Sequence, residues 1–184
     1  MNTAIAFWEF MGFIFISVIG FISHFIYGWL GYGRIIAVFG SVNESVWEHQ
    51  KLVFWPAFIF AFIESFILKP SIGGFWFAKS VSILFMPAFI IAAYYLYTAV
   101  LGRRFLAVDI SLFFIAAGLG QLISYRMLMA EYKQYYSDAT GISIILLLSM
   151  LFIIFTFNPP HKGLFKDSTN EIYGINNEKK HFPA

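Results

Sequence analysis

The stretch SVNESVWEHQKLVFWPAFIFAFIESFIL, residues 41–68, decides how this chain folds. From Trp55 to Leu68 it has only fourteen residues. At ~1.5 Å per residue a helix of that length reaches ~21 Å, short of the ~30 Å hydrocarbon core of a bilayer. A membrane-crossing helix must therefore begin earlier, between Asn43 and Lys51. That start takes Glu48, His49 and Lys51 into the interface on a helix that continues across. Pro56 is expected to kink it, and Lys69-Pro70-Ser71 with Gly73-Gly74 to close it.

Composition is what makes a membrane the solvent to consider. The chain is 60% hydrophobic and 21% aromatic, with only 12% charged residues. A soluble domain carries about 25% charge, so there is too little here to coat a water-soluble globule. Other apolar runs reach about twenty residues, the length a bilayer demands. The class expected is all-α: a polytopic transmembrane bundle of about five spans at 4–30, 47–69, 75–101, 106–129 and 141–157. A polar tail, 159–184, follows this 1–158 domain. The first segment has no Lys or Arg before Leu30 and carries Glu9. It lacks the basic start of a cleaved signal and reads as a retained helix.

Lys and Arg set the orientation. With the N-terminus outside, the inner side holds Arg34, Lys51, Arg103, Arg104, Lys162, Lys166, Lys179 and Lys180. The outer side holds Lys69, Lys79, Arg126 and Lys133, so the count is eight against four. The tail is then cytoplasmic.

The densest polar run is Ser41 to Lys51. Glu44, Glu48, Lys51 and Trp55 share one stripe of a helix that includes them all, with His49 turned about 100° away. Two carboxylates and an imidazole at an interface suit a divalent cation or a general base. Structural roles compete: Ser41-x-x-Glu44 matches a capping box, and Glu48 with Lys51 matches an i, i+3 ion pair. His24 lies about 9 Å before the end of the first helix. An ionisable group there faces the bundle interior, on a stripe with Gly20, Tyr27 and Gly31. His24, Glu44, Glu48 and His49 are thus the candidate metal ligands, and Glu48, His49 and His24 the candidate catalytic groups.

Other polar residues read as structural. Asp109 suits the dipole of the fourth helix. Arg103 and Arg104 suit anionic lipid. Glu9, Glu64, Lys79 and Arg126 form an outer cluster, and Gln121 beside Gly118 and Gly120 packs between helices. Zero cysteines and a net charge of +2 exclude thiolate sites and offer nothing to nucleic acid. There is no haem, nucleotide or iron–sulfur signature, and no zincin, nucleophile-elbow or Walker motif.

The run Asn43-Glu44-Ser45-Val46-Trp47-Glu48-His49, with Ser23-His24-Phe25 upstream, resembles a group of small bacterial membrane proteins of unknown function. Phe155-Thr156-Phe157-Asn158-Pro159-Pro160, Leu164-Phe165-Lys166-Asp167 and Tyr173-Gly174-Ile175 are similar to that group's C-terminal end. The resemblance implies a bacterial plasma-membrane location and supplies no activity.

Two functions are consistent with these residues. One is a non-enzymatic membrane module (partner-binding, small-solute or stress-related), its tail docked through Leu164, Phe165, Ile172 and Tyr173. The alternative is a membrane-embedded hydrolase or transferase for a lipid-like substrate, with or without a divalent metal as its cofactor. The partners expected are the lipid bilayer and a membrane protein or second copy of the chain.

Overall fold

A computed structural model describes residues 2–68, 72–131 and 135–175. The expected helix stop Lys69-Pro70-Ser71, and Lys133, Lys179 and Lys180 of the charge count, lie outside the described residues. Six helices follow one another: α1 (Asn2–Trp29), α2 (Arg34–Phe39), α3 (Val46–Ser65), α4 (Phe75–Leu101), α5 (Leu106–Met129) and α6 (Asp138–Phe157). No strand occurs among the described residues. A 3₁₀ turn at Gly163–Phe165 and an isolated bridge between Lys166 and Tyr173 shape the tail.

Four helices, α1, α4, α5 and α6, are long and apolar enough to cross a membrane. Their faces are arranged for that. α1 buries Ile5, Glu9, Gly12, Ile16, Gly20, Ser23 and Tyr27, a single stripe at three- and four-residue spacing. It exposes Phe7, Phe10, Ile14, Val18 and Phe21. Gly12, Gly20, Glu9 and Ser23 face the protein alongside Ile5 and Ile16, while the residues exposed between Phe7 and Phe21 are all large and apolar, the pattern expected where the surrounding phase is hydrocarbon.

The fifth long helix, α3, differs. Its 20 residues span ~30 Å, but it carries Glu48, Lys51 and Glu64. Twelve of its 20 residues are buried, against seven of 28 in α1. It packs on α1 and α4, which both pack on α5, so these four helices close a ring with α6 outside on α4. Glycines set the close approaches. A Cβ on Gly20 would lie 2.4 Å from the Leu52 carbonyl oxygen, and one on Gly141 2.4 Å from the Trp76 backbone. Gly12 leaves room for the Gln121 amide, which donates to the Glu9 carbonyl at 3.1 Å. Gly74 and Gly102 bound α4 with φ of 71° and 69°, a conformation other residues adopt at a cost.

Among the described residues, each buried Lys and Glu sits in an ion pair. At one end of the ring Lys79 Nζ lies 2.7 Å from Glu9 Oε1 and 2.5 Å from Glu64 Oε2. Ser124 donates to the same Glu9 oxygen at 2.6 Å. Arg126, expected in this group, is exposed and enters none of these pairs. Toward the other end Lys51 Nζ meets Glu48 Oε2 at 2.5 Å and donates to the Ala37 carbonyl at 2.7 Å and Thr156 Oγ1 at 3.0 Å.

The tail folds back onto this second end. Phe165 is buried against Trp47 and Phe155, and the Tyr173 ring lies 4.7 Å from His161. Asn43 Nδ2 donates to the Gly174 carbonyl at 2.9 Å. The 30–45 connection, the 102–105 turn and the tail therefore share one end, and α1, α3, α4, α5 and α6 run alternately between the two ends.

Candidate functional site

The site is built where the connection into α3 meets the end of α1. The capping expectation shifts by four residues. Ser41 donates to the Asn43 carbonyl at 2.7 Å and caps nothing. Ser45 is the N-cap, its Oγ accepting from Glu48 N–H at 3.2 Å, and Asn43 Oδ1 accepts from Ser45 N–H at 2.9 Å. Glu44 thus precedes the helix and does not share its stripe. This wound loop, buried almost throughout, has backbone groups met by side chains of Ser41, Asn43, Glu48, Asp167 and Ser168, as a buried loop must.

Freed from the helix, Glu44 points at both histidines. Its Oε1 lies 3.9 Å from His24 Nε2 and its Oε2 lies 3.6 Å from His49 Nε2. The imidazole centroids are 5.3 Å apart. One ligand atom from each of the three residues lies within 4.8 Å of the others. These separations are too long for hydrogen bonds. The two Glu44 distances are close to the roughly 3.3–3.6 Å between ligands held at ~2.0–2.2 Å from one tetrahedral ion, while the 4.8 Å limit on the trio is wider than that spacing. The side chains are 30, 34 and 37% exposed for His24, His49 and Glu44.

Neighbouring groups orient the trio. His49 Nδ1 lies 2.8 Å from the Ser45 carbonyl. That acceptor favours a proton on Nδ1 and turns an Nε2 lone pair toward Glu44, the support typical of a metal-binding histidine. Among the described residues His24 Nδ1 has no hydrogen-bond partner. Glu44 is held from the tail. Its N–H donates to Asp167 Oδ2 at 3.2 Å and its carbonyl accepts from Ser168 Oγ at 3.3 Å. Burial pushes the Asp167 carboxyl up. Hydrogen bonds from Thr169 and from the N–H groups of Glu44 and Asn170 outweigh that and hold it below the ordinary aspartate range.

Glu48, grouped with these residues on spacing, turns away. Its carboxylate pairs with Lys51 and accepts from Val42 N–H at 3.0 Å, so its partners are structural. An i, i+3 pair on a helix is the nearer contact and takes both side chains.

The trio sits at one end of a cavity of about 320 Å³ among α1, α3, α4 and α5, within the size range of small-molecule sites. Beyond Glu44, His24 and His49 the walls are mainly apolar, with Phe21, Leu52, Ile90 and Phe113 prominent. Arg104 and Asp109 add a second polar group. Asp109, in the first turn of α5, accepts from the Tyr97 hydroxyl. Arg104 Nη1 donates to Ser168 Oγ at 2.6 Å, while Arg103 stacks 4.5 Å from the Phe105 ring. Sequence reading missed Asp167 and Ser168. The one cue was the Asp-Ser-Thr-Asn run, whose first side chain captures following N–H groups.

Fold and site together define a small α-helical bundle with four membrane-compatible helices and a polar trio at the end of an apolar cavity. The chain belongs to a family of unknown function, DUF6512, whose model matches residues 1–175. No curated protein and no solved structure matches it.

Proposed function

We propose that this chain is a membrane-embedded, metal-dependent enzyme for an amphiphilic substrate, with His24, Glu44 and His49 holding a divalent cation. The observation that carries this is the convergence of three ligand atoms within 4.8 Å at the polar end of an apolar cavity. Two imidazoles and one carboxylate, with no thiolate, suit zinc or a similar borderline ion and leave coordination positions open. Such an ion would polarise an ester oxygen and activate water for hydrolysis or group transfer.

The topology we propose has five spans, N-terminus outside, in a bacterial plasma membrane. The eight-to-four excess of Lys and Arg supports that orientation, and the alternation of five long helices supports the count. α3 crosses with each of its charges in an ion pair inside the ring. The trio then lies at the inner interface. A non-enzymatic module would use the same cavity without a cation.

Metal analysis of the purified full chain decides between the two. Wild type should hold about one divalent ion per chain, and His49→Ala and His24→Ala should lose it. Equal content in all three proteins removes the metal and with it the enzyme.

A further inference from the structure

The cavity's shape and charge say which amphiphile it takes. Phe21 of α1 and Leu106, Ile110 and Phe114 of α5 both line the cavity and are exposed on the bundle surface. The cavity therefore opens sideways between α1 and α5, on the apolar flank, rather than only at the polar end. A ligand with a hydrocarbon chain can enter through that opening and leave its headgroup at the polar end.

The headgroup end holds two carboxylates, Glu44 and Asp109, and one guanidinium, Arg104. A divalent cation on the trio leaves one net positive charge, which an anion would meet. The two positive centres are also tied together: Ser168 Oγ accepts from Arg104 at 2.6 Å and donates to the Glu44 carbonyl at 3.3 Å. Asp109 is occupied by the Tyr97 hydroxyl, which accepts from Phe105 N–H at 3.2 Å. Arg104 spends one of its five N–H donors on Ser168, its one hydrogen-bond partner among the described residues. A phosphoryl group has enough oxygens to meet both a cation and a guanidinium fork.

Resting on the metal reading above, we infer that the ligand is a lipid with a phosphoryl headgroup, which Arg104 and the trio-bound cation hold together while its chain lies along Phe21, Ile90 and Phe113. Arg104 is the group that selects the anion.

The test is binding to the full-length, zinc-loaded chain in neutral detergent. The probes are dodecyl phosphate, inorganic phosphate, dodecanoate and an uncharged dodecyl glycoside. Dodecyl phosphate should bind most tightly, and Arg104→Gln should weaken it at least about tenfold while keeping its zinc. Arg104→Lys should recover part of the loss, and Ser168→Ala should give a smaller loss. Inorganic phosphate binding as well as dodecyl phosphate would show a free-anion site and overturn the lipid inference. So would dodecanoate or the glycoside matching dodecyl phosphate, or Arg104→Gln leaving its affinity unchanged. Zinc content is read separately: its absence from wild type sinks the metal reading, whereas zinc retained with no Arg104 effect sinks only this one. If Arg104→Gln does not fold, Arg104→Lys and Ser168→Ala carry the same comparison.

Discussion

Two polar clusters sit at opposite ends of the same ring, and they are built in opposite ways. Glu9, Glu64 and Lys79 are at most 5% exposed and touch at 2.5 to 2.7 Å. His24, Glu44 and His49 are about a third exposed, with Glu44 3.9 Å from His24 and 3.6 Å from His49 beside a cavity. In the first cluster two carboxylates share one ammonium in direct contact, and Ser124 donates to Glu9 beside it. In the second, the three side chains line a cavity without hydrogen-bonding one another. Close contact marks a group whose work is holding helices together, and the open spacing marks one that can take a ligand. Ionisable residues alone do not distinguish these roles.

The comparison breaks most easily at the tight end. Lys79→Met would leave two buried carboxylates without their cation and should destabilise the chain by about 3–5 kcal/mol, read from thermal unfolding in detergent. Adding Glu9→Gln and Glu64→Gln should recover much of that loss. An unaltered melting temperature in the single variant would mean the cluster is not structural. Next in size is Gly141→Ala. Its new methyl would meet the Trp76 backbone at 2.4 Å, and overpacking of this kind costs about 1–3 kcal/mol. Smaller again is His49→Ala. With the metal stripped from both proteins it should shift stability by no more than ~0.5 kcal/mol, while in loaded protein it abolishes metal retention and the stabilisation that binding adds; a large drop in the metal-free melting temperature would place His49 with the structural residues instead.

How much of this was legible before folding depends on the range of each interaction. Helix ends at Gly74 and Gly102 are written locally, because those residues supply the positive φ at each end of α4. The Glu48–Lys51 pair is also local, and spacing alone offers it. The choice between Ser41 and Ser45 as cap was not legible, since Ser-x-x-Glu occurs at both. It is settled by Asn43, whose side chain takes the Ser45 N–H and holds the loop clear of the helix. α2 was missed: six residues, RIIAVF, give too few turns for a periodicity. The cavity and the hold on Glu44 were out of reach for a different reason. Asp167 meets Glu44 across 123 positions, and nothing in either local sequence announces the other.

That long-range hold gives the smallest effect, and it sharpens the comparison most. Asp167 lies outside the spans, and its folded-state carboxyl sits below its ordinary value, because the Thr169, Glu44 and Asn170 hydrogen bonds outweigh burial. A depressed carboxyl contributes stability that is complete above the unfolded value of ~3.9 and is lost as pH falls through the lower folded value. Tail docking should therefore loosen only on the acid side of that range. Asp167→Asn, which cannot ionise, should be loose at neutral pH and insensitive to acid there. Amide hydrogen exchange at Glu44 reads this directly: faster in Asp167→Asn at neutral pH, and converging with wild type as acid protonates Asp167. Metal affinity should fall with it, while the Glu9–Lys79–Glu64 end keeps its unfolding temperature nearly unchanged. Equal exchange at Glu44 in the two proteins would mean the tail merely covers the site, and Glu44 would owe its position to the Asn43–Ser45 loop alone.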